Sequence, residues 1–178
     1  MTKKAVFVTG SPSPTSRSSS ILRALRERLE ALGYQTRTYG VGDFDARAVL
    51  EAKTDDPSVQ RYLKDVAEAY VLVVATPVYK ATYSGALKVL LDLIGYEALS
   101  GRVAFGIATG KQQAHLAATG RALGAVFEFF RVGVSVEPLL LSDEVVYAPD
   151  EGNTLSAVSL AAIDTRVGAI VAAVGDRS

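Results

Sequence analysis

The sequence predicts a doubly wound α/β domain, a parallel sheet covered by helices on both faces. Three observations point there: five short apolar, β-branched runs, longer amphipathic stretches between them, and Gly or Pro at their boundaries. Parallel strands need long crossovers, and crossovers of this length are helices, so the alternation implies five parallel strands in the order 2-1-3-4-5. The chain has 178 residues, 49% hydrophobic and 21% charged, enough for a sizeable core. No repeat, low-complexity tract or Pro/Gly-rich linker marks a boundary, so residues 1–178 are expected to form one domain.

The elements follow in order. Ala5 to Thr9 reads as a buried strand stopped by Gly10. Ile21, Leu22, Leu25, Leu29 and Leu32 then share one helical face, with Arg23, Arg26, Glu27 and Arg28 opposite and Gly33 placed to end the helix. A second strand fits Gln35 to Tyr39. After a short connection, Val59, Tyr62, Leu63, Val66 and Ala67 mark a helix leading into a third strand, Tyr70 to Ala75, closed by Pro77. Ser84 is placed to cap a helix with the stripe Leu87, Leu90, Leu91 and Ile94. A fourth strand runs from Val103 to Ala108, a helix from about Gln113 to Phe130, and a fifth strand from about Val132 to Leu141. The loop Asp143 to Thr154 precedes a closing helix carrying Leu160, Ile163, Val167, Ile170, Val171 and Val174.

Composition narrows the chemistry. Nineteen Lys and Arg balance nineteen Asp and Glu, so no global field attracts nucleic acid or an anionic membrane, and any anion must be met by local groups. The absence of cysteine excludes disulfides, thiolate nucleophiles and Cys-ligated metal, and a single histidine, His115, disfavours His-based metal sites and Ser-His-Asp triads. No side chain stands out as a catalytic group or a metal ligand, so the chemistry is expected to be carried by a substrate or a bound cofactor, or to be absent. Lys3 and Lys4 precede an apolar run of only Ala5 to Val8, too short for a signal-peptide core, and no run was expected to approach membrane-spanning length. Cytoplasmic residence is the expectation.

Three loops are predicted to converge beyond the carboxyl ends of the strands, where ligands bind in such sheets. After the first strand, residues 9–20 (TGSPSPTSRSSS) are dense in hydroxyls and open into a helix. Unpaired N–H groups at a helix start favour an anion, and Ser and Arg17 side chains add charge-assisted hydrogen bonds, a cup suited to a phosphate monoester. The same residues also suit a ligand-free capping turn. After the third strand, Tyr79 and Tyr83 either border a flat ligand or pack between the loop and another subunit. The third loop is Thr109-Gly110-Lys111. His115, near the following helix start, reads as a surface or capping residue. Gly120 and Gly124 permit close approach of another helix, in an oligomer or within the subunit. Neither a G-x-G-x-x-G fingerprint nor a Walker loop is present: only Gly10 follows the first strand, Asp45 interrupts the spacing begun by Gly40 and Gly42, and the run 106–111 has the wrong spacing.

In these loops the sequence resembles the NADPH-dependent FMN reductases of flavodoxin-like fold, in particular those of the alkanesulfonate monooxygenase systems. The segments that carry the resemblance are 10–12 (GSP), 16–20 (SRSSS), 75–81 (ATPVYKA), 83–88 (YSGALK), 91–93 (LDL), 108–110 (ATG) and 114–116 (AHL). The resemblance covers residues 5 to about 130, and the C-terminal third matches mainly in pattern. The resemblance implies that Ser11, Ser16, Arg17 and Ser18 hold the FMN phosphate, that Pro77, Val78, Tyr79 and Lys80 border the isoalloxazine, and that Thr109 and Gly110 line its other edge. It also implies hydride transfer from NADPH to FMN, a homodimer or homotetramer, and a flavin-dependent monooxygenase as partner. Two departures stand out. Ser13 occupies the fourth position of the Gly-Ser-x-Arg loop, leaving Arg17 to carry the phosphate charge, and Arg121 stands where the sulfonate-system reductases insert an aromatic. A quinone or azo reductase with tightly bound FMN, a flavodoxin-type electron carrier and a non-flavin phosphate-binding domain are the competing readings; NADPH and NADH are not distinguished by the residues.

Overall fold

Apolar runs on the strands, buried on both faces of the sheet, set the architecture of the computed structural model, which describes residues 3–149 and 151–175. Five strands, β1 (Lys4–Thr9), β2 (Gln35–Gly40), β3 (Val71–Tyr79), β5 (Val103–Gly110) and β6 (Val134–Ser142), form a parallel sheet in the order β2-β1-β3-β5-β6. This is the expected 2-1-3-4-5 path. A sixth strand, β4 (Thr82–Tyr83), was not expected; it pairs antiparallel with the end of β3. Ala5, Phe7, Val71, Val73 and Phe105 point to one face, against α1 (Arg17–Ala31) and α7 (Ala157–Gly175). Val6, Val8, Leu72 and Val74 point to the other, against α3 (Pro57–Glu68), α4 (Gly85–Asp92) and α5 (Gln113–Phe129). Each large apolar side chain removed from water in these two layers stabilises the fold by about 1.5–3 kcal/mol.

Several boundaries differ from the sequence expectation, each for a local reason. α1 begins at Arg17, four residues before the apolar stripe, because Ser16 caps it: its Oγ accepts the Ser19 N–H at 3.2 Å. At its other end Leu32 is 58% exposed, since the helix stops at Ala31 and Gly33 turns away at φ 85°. The connection after β2 holds a 3-10 turn, Val41–Asp43, and the short helix α2 (Ala46–Leu50), capped by Asp45. Ala67 of α3 is exposed, and Ala69 takes the buried position. Pro77 does not close β3. Ala75 uses its carbonyl toward the β1 side, accepting from Gly10 N at 2.7 Å, and Pro77, two residues on, faces the same side after β1 has ended. A missing N–H costs nothing at that edge. The expected loop after β6 begins with α6 (Asp143–Val146).

Ser84 caps α4 as expected, accepting from Leu87 N at 3.1 Å. On α5, a Cβ at Gly120 would come 3.1 Å from Leu140 Cδ1, so this glycine serves close packing on β6, whereas nothing lies within 4 Å of one at Gly124. Contrary to expectation, one segment does reach spanning length: α7 is long and apolar enough to cross a membrane by length and composition, with mean hydropathy 1.7. Its Ile163, Val167, Ile170 and Val174 face is core, packed against α1 and β6, and ion pairs Arg166–Glu137 and Arg28–Asp164 flank it.

Candidate functional site

Chain connections leave β1 toward β2 on one side and β3 toward β5 on the other, so a crevice opens between the carboxyl ends of β1 and β3. Its first wall starts at Gly10. The Gly10 carbonyl accepts from Ser84 Oγ at 2.6 Å, and a Cβ at this position would lie 2.7 Å from both Ser84 Oγ and Leu87 Cβ. Only glycine lets the loop press onto α4 this closely. Thr76 Oγ1 accepts from Ser84 N at 2.9 Å, tying the end of β3 to the same helix start.

From Gly10 the hydroxyl-rich loop folds on itself. Ser13 N donates to Ser11 Oγ at 3.2 Å, Ser16 Oγ donates to Ser19 Oγ at 2.8 Å, and Ser19 Oγ donates to the Ser13 carbonyl at 3.1 Å. The hydroxyls therefore shape the loop and start the helix. The backbone N–H groups of Arg17 and Ser18 have no hydrogen-bond partner among the described residues. They are the orphan donors of the α1 N-terminus.

The opposite wall comes from the β3–β4 hairpin. Its two-residue turn, Lys80-Ala81, has φ of 52° and 64°, the two left-handed positions of a type I′ turn, here without Asn or Gly. Strained backbone of this kind is enriched beside functional clefts. The third wall is the end of β5. A Cβ at Gly110 would approach Val78 Cβ to 2.9 Å, so this glycine lets β5 close against the hairpin.

Together these walls enclose a cleft of about 480 Å³, within the range of small-molecule sites. Of the residues expected at the site, Ser16, Arg17, Pro77, Val78, Tyr79, Thr109 and Gly110 line it. Ser11 and Ser18 are buried and do not contribute to the wall, and Lys80 stands exposed at the turn tip. Tyr79 lines the cleft, while Tyr83 faces a separate groove between α4 and α5. Lys111, Gln112, His115 and Asp143 complete the lining. His115 is surface-exposed as expected, yet it belongs to the cleft through its position in the first turn of α5. Asp143 carried no sequence signal: it meets Arg17 across 126 positions of chain, its carbonyl accepting from Arg17 Nε at 3.2 Å.

The model of the NADPH-dependent FMN reductase family matches residues 3–146. The chain belongs to this family. Among its members, the FMN reductase (NADPH) of Pseudomonas putida KT2440 is 41% identical, the match covering 80% of this chain and 73% of that protein. The FMN reductase (NADPH) of Escherichia coli K12 is 38% identical, covering 80% and 75%. Of solved structures, the apo NADH:FMN oxidoreductase EMOB superposes with a TM-score of 0.83 at 27% identity, covering 95% of this chain and 88% of that one. Every cleft residue named above lies within the span that the family model matches.

Proposed function

We propose that this chain is an NADPH-dependent FMN reductase, with FMN bound along the cleft from the start of α1 to the β3–β4 hairpin. Membership of the family carries this reading. The residues fit the cofactor: unpartnered N–H groups and Arg17 at one end suit a phosphate, and the backbone of β3 and the Thr109–Gly110 strand end form flat walls at the other. The start of α1 favours an anion by about 0.3–1 kcal/mol, rising to about 2 when partly buried. Arg17 adds charge-assisted hydrogen bonds, with Ser16 beside it and Ser11 and Ser18 shaping the loop from behind. Pro77 to Lys80 border the ring and Thr109 with Gly110 its other edge. Bound FMN supplies the N5 that accepts hydride from nicotinamide C4 of NADPH. The protein's part is binding and alignment, which needs no dedicated acid, base or thiol.

The same proposal extends to the setting: one flavin-binding domain over residues 1–178, in a cytoplasmic homodimer or homotetramer that passes flavin to a flavin-dependent monooxygenase. What supports the oligomer is the groove between α4 and α5, where Tyr96 and Phe129 stand 48% and 58% exposed. Steady-state assays of purified protein test the activity. NADPH oxidation in air should saturate with added FMN; no oxidation of NADPH or NADH at any FMN concentration would refute it.

A further inference from the structure

Residues 143–149 and 151–156 form a strap across the start of α1 that the flavin reading leaves without a role. Its base is fixed. Ser159, fully buried on α7, shares its one Oγ proton between the carbonyls of Val145 and Val146 at 3.1 and 3.0 Å. Ser156 N donates to the Val146 carbonyl at 3.0 Å, and Ala148 N to the Thr154 carbonyl at 2.8 Å. From this base Tyr147 reaches the hydroxyl-rich loop. Its Oη lies 3.0 Å from Ser20 Oγ and 3.4 Å from the Thr15 carbonyl. A phenol has one proton, so it donates to Thr15 and accepts from Ser20.

The same ring supports Arg17. The guanidinium carbon stands 5.7 Å from the Tyr147 centroid, within cation–π range. Arg17 Nε donates to the Asp143 carbonyl at 3.2 Å, and the Asp143 carboxylate stands 4.0 Å away. These contacts hold one edge of the guanidinium and leave both Nη groups without a hydrogen-bond partner among the described residues, on a side chain that lines the cleft. A planar fork held at one edge and open at the other is ready for bidentate contact with a phosphate.

We propose that Tyr147 is a positioning residue for the FMN phosphate: from the strap it fixes residues 15–20 and the plane of the Arg17 guanidinium before the flavin arrives. The inference rests on the phosphate end assigned under the proposed function. The energetic reason is pre-organisation, since a loop and an arginine already ordered lose less freedom on binding. Tyr147 lies one residue beyond the span that the family model matches, which ends at Val146.

Flavin fluorescence titrations of Tyr147→Phe, Ser20→Ala and the double variant, each with FMN and with riboflavin, test it. Riboflavin lacks the phosphate. Each single variant should weaken FMN binding roughly threefold to tenfold, the size of one lost hydrogen bond, while riboflavin affinity stays put. The double variant should bind FMN no more weakly than the weaker single one, because both remove the same contact. Unchanged FMN affinity in both singles overturns the proposal, as does an equal loss for FMN and riboflavin, which would mark a general loosening of the fold. A wild-type protein that binds FMN no tighter than riboflavin overturns the phosphate end itself, a separate and recognisable failure.

Discussion

Arg17 has more to do than any other side chain in the cleft. It is the one cation of the loop that opens α1, because Ser13 stands where an arginine completes the Gly-Ser-x-Arg pattern. Its Nε is committed to the Asp143 carbonyl, and its Nη groups remain for a ligand. Replacing it by alanine removes hydrogen bonds to a charged group, worth about 1.5–3 kcal/mol. Arg17→Ala is therefore expected to raise KM for FMN roughly tenfold to a hundredfold, with the loss falling on KM more than on kcat, and steady-state kinetics with FMN varied will measure it. Arg17 and Ser16 were legible from sequence because a hydroxyl run before an amphipathic helix has one obvious local geometry. Asp143 and Tyr147 were not, since their meeting with α1 depends on how the last third of the chain packs. The hydroxyls also serve the loop itself: Ser11 Oγ accepts from Ser13 N, Ser16 Oγ accepts from Ser19 N, and Ser19 Oγ donates to the Ser13 carbonyl.

Among the elements at the cleft, the sequence concealed the β3–β4 hairpin, as it did the short helices α2 and α6 elsewhere. Pro77 looks like a strand terminator, and would be in a central strand, but β3 outlasts β1 and becomes an edge there. A two-residue turn of Lys and Ala also lacks the Asn-Gly signature that announces a hairpin. The long strands and helices carried their own signals, in continuous apolar runs on β1, β3 and β5 and in period-3.6 burial on the helices, and were found within a few residues. The strain of the turn is testable by itself. Ala81, at φ 64°, is held in a conformation that glycine adopts freely. Ala81→Gly should stabilise the protein by up to about 1 kcal/mol, read from the midpoint of urea unfolding. A clear loss of stability would mean that the side chain makes contacts that outweigh the backbone cost.

For the whole molecule, the sheet places three loops at one edge, and the fold's stability carries a pH signature of its own. Burial, and then the hydrogen bond to Asp65, hold the Tyr39 phenol above its usual range; burial holds Tyr62 up, with its hydroxyl donating to the Leu90 carbonyl at 3.2 Å. Groups whose folded values are raised stabilise the native state fully below the unfolded value, about 10 for tyrosine. That stability is lost as pH rises through the folded values. Urea unfolding should accordingly show falling free energy above about pH 10, and Tyr62→Phe should make the fall shallower while costing about 1 kcal/mol at neutral pH. A balanced charge and a sequence without thiols agree with a protein whose reactivity comes from a flavin. Anaerobic mixing of the purified chain with FMN and NADPH tests that most directly: flavin absorbance should bleach in proportion to the NADPH supplied, and a flavin that keeps its colour in the presence of excess NADPH would contradict the account.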